Sequence, residues 1–153
     1  MRRQSGFTLI ELVIVIVVLG ILAALAVPRF ISLQREARIA VVDSLFNSVR
    51  SGSNIVYAKS AAIGEADNAT DSVDIDGTAV AGGVVATVFG YPDATQTAIG
   101  TLFDNLSPRY VFSSTSATTL AINIDGITTC SVTYVRSTAA GNSPTITRNI
   151  TGC

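Results

Sequence analysis

The stretch Gly6-Phe7-Thr8-Leu9-Ile10-Glu11, followed by the uncharged residues 12–27, decides the fold of this 153-residue chain. From Phe7 to Pro28 the one charged side chain is Glu11, close to the start of the stretch. An α-helix rises about 1.5 Å per residue, so residues 7–27 would span about 31 Å, close to the thickness of a bilayer's hydrocarbon core. The sequence therefore predicts a membrane-spanning helix that is apolar on every side.

Two cleavage sites are compatible with the basic start provided by Arg2 and Arg3. A cut after Gly6 would remove residues 1–6 as a leader and leave the apolar helix on the mature protein. The alternative is a cut after the small residues 23–26, Ala-Ala-Leu-Ala, which would remove that helix as an ordinary signal peptide. Under the positive-inside rule the two arginines stay in the cytoplasm, so residues after Val27 are expected outside the inner membrane.

The N-terminal motif, the basic leader and Pro28 at the end of the apolar run resemble the N-terminus of type IV (type IVa) pilins over residues 1–28. A looser resemblance, to the mannose-sensitive haemagglutinin type of major pilin, runs through the rest of the chain. The residues that carry it are Pro28-Arg29-Phe30, Leu33-Gln34, Ala37-Arg38, Gly90-Tyr91-Pro92, Cys130-Ser131-Val132-Thr133-Tyr134 and Gly152-Cys153. The resemblance implies an α+β fold, with a long kinked N-terminal helix packed on a small antiparallel β-sheet and a C-terminal loop closed by a disulfide.

The resemblance also assigns roles to two residues near the leader. It implies that a prepilin peptidase cleaves between Gly6 and Phe7 and then methylates the new Phe7 nitrogen. A carboxylate such as Glu11 is costly in apolar surroundings unless it is paired or neutralised, although a glutamate this close to the helix start could also reach the membrane interface. In a filament, Glu11 of one subunit would meet the Phe7 ammonium of a neighbour, and the pair would set the axial register.

Composition restricts the remaining function classes. The formal net charge is −1 and no basic patch is evident, so nucleic acid is not an expected partner. The chain has no histidine, which removes the commonest general base and metal ligand, and we expect no catalytic residues, no metal and no cofactor. An even number of cysteines in an exported chain, Cys130 and Cys153, predicts one disulfide, which would hold the end of the chain.

Residues 7–62 read as one helix, which divides at Pro28 into a transmembrane, filament-core half (7–28) and the start of a globular domain (29–153). Pro28 removes one backbone hydrogen bond and is expected to kink the helix, and Gly20 adds softness nearby; two separate helices are the alternative. Past Pro28 the helix is amphipathic, and its apolar stripe is expected to lie under the sheet. The stripe comprises Phe30, Leu33, Ala37, Val41, Val42, Leu45, Phe46, Val49 and Val56.

After the helix, residues 65–77 are acidic and rich in turn formers, which predicts a solvated connecting loop. A calcium site is the alternative there, but the EF-hand spacing fails because Val85 stands where the bidentate glutamate is needed. Apolar spacing predicts a short helix over 93–106 with Asp93 as its N-cap. Strands are predicted at 84–89, 110–113, 120–124, 127–135 and 145–150.

The pair Asp125-Gly126 predicts a β-hairpin, and the apolar pattern restricts its register. A two-residue turn would pair Ile124 with Ile127 and put Leu120 and Ile122 on the face opposite Cys130, Val132 and Tyr134. A three-residue loop would pair Asn123 with Ile127 and gather all five residues on one face. We favour the second register, because one buried face requires one apolar set.

These features together predict a structural subunit of a type IV pilus. It would lie in the bacterial inner membrane as a precursor and polymerise with identical subunits into an extracellular surface filament for attachment, and for motility if the pilus retracts. The resemblance implies a prepilin peptidase, an assembly ATPase, an inner-membrane platform and a secretin as partners. The alternatives are a minor pilin or type II secretion pseudopilin, a monomeric single-pass domain that binds a surface ligand, and a membrane enzyme.

Overall fold

The computed structural model describes residues 7–77, 83–103 and 108–153. Its longest element is the 54-residue helix α1, Leu9–Ala62, which confirms the predicted long helix. Helical backbone continues through position 28, so the alternative of two separate helices is wrong, whereas a kink at Pro28 or Gly20 remains a prediction. Gly64 follows the helix with a φ of 81°, the left-handed conformation common just after a helix end.

The chain divides into two compact units, one ending at Ala37 and one formed by Arg38–Cys153, here called the N-terminal and C-terminal units. In the N-terminal unit the large apolar side chains from Leu9 to Val27 are all 43 to 80% exposed. The same stretch reaches a mean hydropathy of 3.1 over a window of which none is buried, and α1 has the length and composition to cross a membrane. An exposed apolar surface of this extent marks a site of contact with a membrane or with another protein.

The C-terminal unit is built on the second part of α1. Val42, Leu45 and Val49 are at most 2% exposed and join one apolar core with side chains of the sheet, while Val56 joins a second cluster with Val85 and Ala98. Each such burial stabilises the fold by about 1.5–3 kcal/mol. The predicted stripe is wrong at its beginning, because Phe30, Leu33 and Ala37 are exposed. Those three residues lie before the boundary of the C-terminal unit.

A three-stranded antiparallel sheet follows α1, made of β1 (Asp71–Asp74), β2 (Val84–Val88) and β3 (Tyr91–Pro92) in that order. Strand β1 corrects the prediction of a loop throughout 65–77. Val73 is fully buried and pairs with Val85, so one apolar side chain docks a strand that is otherwise polar. Residues 78–82, which precede β2 in the sequence, lie outside the described residues.

The second sheet has four antiparallel strands in sequence order: β4 (Tyr110–Ser116), β5 (Thr119–Ile124), β6 (Ile127–Val135) and β7 (Thr145–Asn149). All four strands were predicted within a few residues. The buried face of β5 and β6 covers the helix core with Leu120, Ile122, Val132 and Tyr134. Strand β7 pairs with β6 from Ser131 opposite Asn149 to Val135 opposite Thr145. This arrangement confirms the predicted α+β pilin-type fold.

The predicted pairing of Asn123 with Ile127 is wrong, because Asn123 pairs with Ser131, although the predicted buried face is right. Ile124 pairs with Ile127 across the two residues Asp125 and Gly126, whose φ values of 52° and 77° are those a type I′ turn requires. A register shift between Asn123 and Ile124 places Ile122 opposite Val132. The irregularity in β6 brings the apolar set onto one face, so no longer loop is needed.

Helix α2 is shorter than predicted, because it covers only Gln96–Gly100. Its N-cap is Thr95, whose Oγ1 accepts a hydrogen bond from the Ala98 nitrogen at 3.1 Å, so the assignment of Asp93 as N-cap is wrong. The Asp93 carboxylate instead forms an ion pair with Arg136 at 2.6 Å. Leu106, the last residue of the predicted apolar set, lies outside the described residues.

The disulfide joins Cys130 of β6 to Cys153, with 4.8 Å between the Cα atoms, as predicted. The Gly152 nitrogen also donates to the Thr129 carbonyl at 3.0 Å. Both sulfurs lie in or beside the apolar core, since Cys130 is fully buried and Cys153 is 9% exposed. The last residues are therefore held to the sheet by a covalent bond and by main-chain hydrogen bonding.

Asp125 at the hairpin turn gives the C-terminal unit a pH-dependent contact. Arg109 donates through Nε and Nη2 to the two carboxylate oxygens, each at 2.8 Å, and Arg38 Nε lies 3.7 Å away. The hydrogen bonds from Arg109 hold the pKa of Asp125 below its ordinary value. A carboxyl with a lowered pKa stabilises the folded state above its ordinary pKa, and this contribution is lost as the pH falls through the folded-state pKa.

We therefore expect Asp125→Asn to lower the melting temperature of the detergent-solubilised chain by about one or two degrees at neutral pH. Asparagine tolerates a positive φ, so the turn itself is preserved. Circular dichroism should show that the difference from the wild type disappears in acid, where Asp125 is protonated. A difference of the same size at both pH values would contradict an ionic origin.

Candidate functional site

The candidate site is the start of α1, where the apolar run carries its one acid, Glu11. Thr8 is the residue before the helix and Glu11 is its third residue. The Thr8 nitrogen donates to Glu11 Oε2 at 2.9 Å, and the Thr8 hydroxyl donates to the same oxygen at 2.8 Å. The Glu11 nitrogen in turn lies 3.3 Å from the Thr8 hydroxyl oxygen. This reciprocal arrangement is a capping box, in which each side chain satisfies backbone groups at the helix start.

Thr8 is the functional residue that the sequence reasoning missed. Glu11 was treated as a lone carboxylate, yet Thr8 supplies it with two donors within the same chain. A signal was present, since a threonine followed three residues later by a glutamate and then by an apolar run is typical of a capping box. The positive end of the helix dipole also favours a carboxylate at this position. Thr8 therefore supplies hydrogen-bond donors to one oxygen of Glu11 within the same chain.

The surroundings of the capping box are apolar and open. Phe7 is 89% exposed, Leu9 80% and Ile10 66%. Glu11 is itself exposed, so its second carboxylate oxygen is available to another group. The free oxygen of Glu11 can therefore bind a cationic group from outside the chain, at the start of the apolar helix.

The other predicted site residues are spread along the chain. Gly6 and the rest of the predicted leader lie outside the described residues, so the cleavage site between Gly6 and Phe7 remains a prediction. Gly20 lies in the middle of the apolar helix, with no heavy atom within 4 Å of where a Cβ would stand. The bonded cysteines lie in the C-terminal unit.

Within the described ranges of the chain, no group of three or more histidine, cysteine, aspartate or glutamate side chains lies close enough together to hold a metal ion. Asp71 accepts hydrogen bonds from the Asn68 amide and from the Ser72 nitrogen, both at 2.7 Å. These bonds lower the pKa of Asp71. The Asp71 carboxylate therefore stabilises the backbone at the start of β1.

Comparison with known proteins finds one family match and several partial alignments. A family profile described as the prokaryotic N-terminal methylation motif matches residues 1–27. The chain is 49% identical over 65 residues to the type IV narrow pilus major component PilA5 of Thermus thermophilus, covering 42% of this chain and 56% of that protein. It is 58% identical over 40 residues to the type II secretion system core protein G of Pseudomonas aeruginosa, covering 26% and 28% of the two chains.

A fimbrial protein of Moraxella nonliquefaciens is 39% identical over 77 residues, which cover 49% of each chain. The alignments thus span about half the length, or less, of these curated relatives. No solved structure matches the chain. The chain thus shares the N-terminal methylation motif, which lies at the start of the apolar half of α1, and is similar over part of its length to type IV pilus components and to a type II secretion core protein.

Proposed function

We propose that this chain is a subunit of a type IV pilus that is stored in the bacterial inner membrane and then polymerised into a surface filament. The observation that carries the proposal is the N-terminal half of α1, whose large apolar side chains are exposed and whose single acid is capped by Thr8. In the membrane, lipid covers this surface. In a filament, helices of other copies would cover it, through close side-chain packing.

The assembly contact proposed here is a charge pair between copies. Cleavage between Gly6 and Phe7 would create a positively charged amine on Phe7, which methylation leaves basic. Glu11 of one subunit could then accept from the Phe7 ammonium of another, because one oxygen is held by Thr8 and the other is open. Apolar packing alone allows helices to slide along one another, whereas a pair of charges at one level of the bundle would hold their register.

The partners and the membrane topology belong to the same proposal. Residues 1–6 would be the leader, 7–28 the membrane-spanning and filament-core segment, and 29–153 the globular domain. A prepilin peptidase would process the precursor, and an assembly ATPase, a platform protein and a secretin would extract and export it. The relative PilA5 is named as a major pilus component, which supports a main rather than a tip subunit.

A second candidate is a pseudopilin of a type II secretion system. The identity of 58% to core protein G over 40 residues favours it. The disulfide-closed C-terminus supports the pilin instead, as does the similarity to PilA5 and to the fimbrial protein. Deleting the gene separates the two: loss of surface fibres with normal protein secretion supports the pilus, and the reverse supports the secretion system.

Processing is tested by the mass of the mature chain. We expect mass spectrometry of fibres sheared from the cell surface to show a chain that starts at Phe7 and carries one methyl group on its nitrogen. A chain that starts at Met1 would mean a membrane-anchored protein without processing. A chain that starts at Val27 would mean removal of the apolar helix as a signal peptide, and either result would contradict the proposal.

A further inference from the structure

A recess of about 220 Å³ lies in the C-terminal unit between α1 and the segment that leads into β7. Half-buried Phe46 and Ile146 give it an apolar lining, while Arg50 lines it from the exposed side of α1. Ser143 lines it from the opposite side, and its hydroxyl lies 3.3 Å from the hydroxyl of the buried Tyr91. The recess is thus bounded by a helix, a paired strand and a loop residue that lies within hydrogen-bond distance of Tyr91.

Arg50 is available to an anion. The other arginines of the C-terminal unit each pair with a carboxylate, in the pairs Arg38–Asp125, Arg109–Asp125, Arg136–Asp93 and Arg148–Asp43. Among the residues that the structure describes, no such pair or hydrogen bond involves the Arg50 side chain. A guanidinium presents a planar set of donors that matches a carboxylate. The recess therefore combines a cationic rim with an apolar lining.

The carboxylates of the C-terminal unit also differ in whether they take part in an ion pair or a hydrogen bond. Asp43, Asp93 and Asp125 are used by the arginines, and Asp71 is used by Asn68. Within the described part of the C-terminal unit, the carboxylates of Glu65 and Asp67 enter no ion pair or hydrogen bond. Both lie in the turn that follows α1, and Asp67 is exposed.

This acidic turn has a well-defined backbone. The Glu65 nitrogen donates to the Ser60 carbonyl at 2.9 Å, and the Asn68 nitrogen donates to the Glu65 carbonyl at 3.3 Å. Gly90, with a φ of 79°, lets Ala66 come close, because an added Cβ would stand 2.9 Å from the Ala66 Cα. Asp67 is therefore presented on a fixed turn, which lowers the entropy that would be lost on binding.

The Arg50 side chain cannot reach the carboxylate of Asp67 in the same chain. Arg50 lies twelve residues before the end of α1 at Ala62, which is about 18 Å along the helix axis, and the turn lies beyond that end. We infer that the recess at Arg50 receives the acidic turn at Asp67 of a second copy of this chain. The inference rests on the proposed function, because it needs copies that assemble with one another.

A charge swap in the full chain tests the contact. Arg50→Glu would place two negative groups together, and we expect about tenfold less sheared filament per cell, with an unchanged amount of subunit in the membrane fraction. Adding Asp67→Arg to Arg50→Glu should restore the filament to within about threefold of the wild type, because the pair is rebuilt with the charges exchanged. The membrane-fraction measurement excludes a subunit that simply fails to fold.

Lys59→Glu is the matched control, because Lys59 is a basic residue on the exposed side of the same helix, outside the recess, and the change in net charge is the same. We expect it to leave the amount of filament within about twofold of the wild type. The inference is overturned if Lys59→Glu loses as much filament as Arg50→Glu, if Arg50→Glu loses none, or if the double variant is no better than the single one. Those results would leave the proposed function standing, whereas a wild-type chain that is absent from surface fibres would remove both.

Discussion

Replacing Glu11 by alanine is expected to leave the subunit in the membrane and to reduce surface filaments by more than a hundredfold. The change removes the acceptor that Thr8 holds at 2.8 and 2.9 Å, and with it the proposed partner of a neighbour's Phe7 ammonium. Removing one member of a buried charge pair costs about 3–5 kcal/mol, because the other charge is left without a partner. That cost corresponds to a factor of more than about a hundred in the equilibrium for adding a subunit.

The measurement compares subunit in sheared fibres with subunit in the membrane fraction by immunoblot. Glu11→Gln is the sharpest companion variant, because it keeps an acceptor for Thr8 and removes the charge, so it should lose filaments almost as fully as Glu11→Ala. Thr8→Val removes the hydroxyl and keeps the charge, so its loss should be smaller. Wild-type amounts of filament with Glu11→Ala would contradict the pairing, and normal assembly with Glu11→Gln would show that charge is not what matters.

Breaking the disulfide with Cys153→Ser is expected to lower the free energy of unfolding of the C-terminal unit by about 3–4 kcal/mol, the chain-entropy value for a loop of this length. The bond spans a sequence separation of 23 residues and lies against the apolar core. A loss of this size is a large fraction of the stability of a typical domain, so the steady-state amount of subunit should fall as well. Denaturant unfolding of the detergent-solubilised chain gives the free energy directly.

The double variant Cys130→Ser, Cys153→Ser is the control for the free thiol that the single variant creates. It should show the same loss, since the bond is absent in both. Adding a reductant should destabilise the wild type by a similar amount and leave the double variant unchanged. Equal unfolding free energies for the wild type and the double variant would mean that main-chain bonds such as Gly152 to Thr129 are sufficient to hold the end of the chain.

The elements that the sequence predicts well are those whose signal is local and repeated. Helix α1 has an uninterrupted apolar run and then a helical stripe, and its end was predicted at about Ala62, where it lies. The faces of β5 and β6 follow from one apolar set, which is why Ile122 and Val132 were correctly assigned to the same face, although the predicted register and turn were wrong. The capping box was readable from the Thr8 and Glu11 spacing and was passed over because Glu11 was considered only as a charge.

The features that the sequence does not predict depend on contacts between distant residues. Strand β1 has a single buried apolar residue, Val73, too few to show alternation, and its strand character comes from pairing with β2. Asp93 and Thr95 are both good N-caps by type, and only the ion pair of Asp93 with Arg136, far along the chain, decides between them. The irregularity in β6 likewise depends on packing that no local pattern records.

The covalent closure of the last strand has a consequence for a protein exposed to extracellular proteases. Residues 138–143, between β6 and β7, are all exposed and are the accessible point for a cut in this part of the molecule. Such a nick would fall between Cys130 and Cys153, so the two fragments would stay joined by the sulfur bridge and by the five residue pairs of the β6–β7 ladder. A subunit already built into a fibre would thus survive the cleavage of its own backbone.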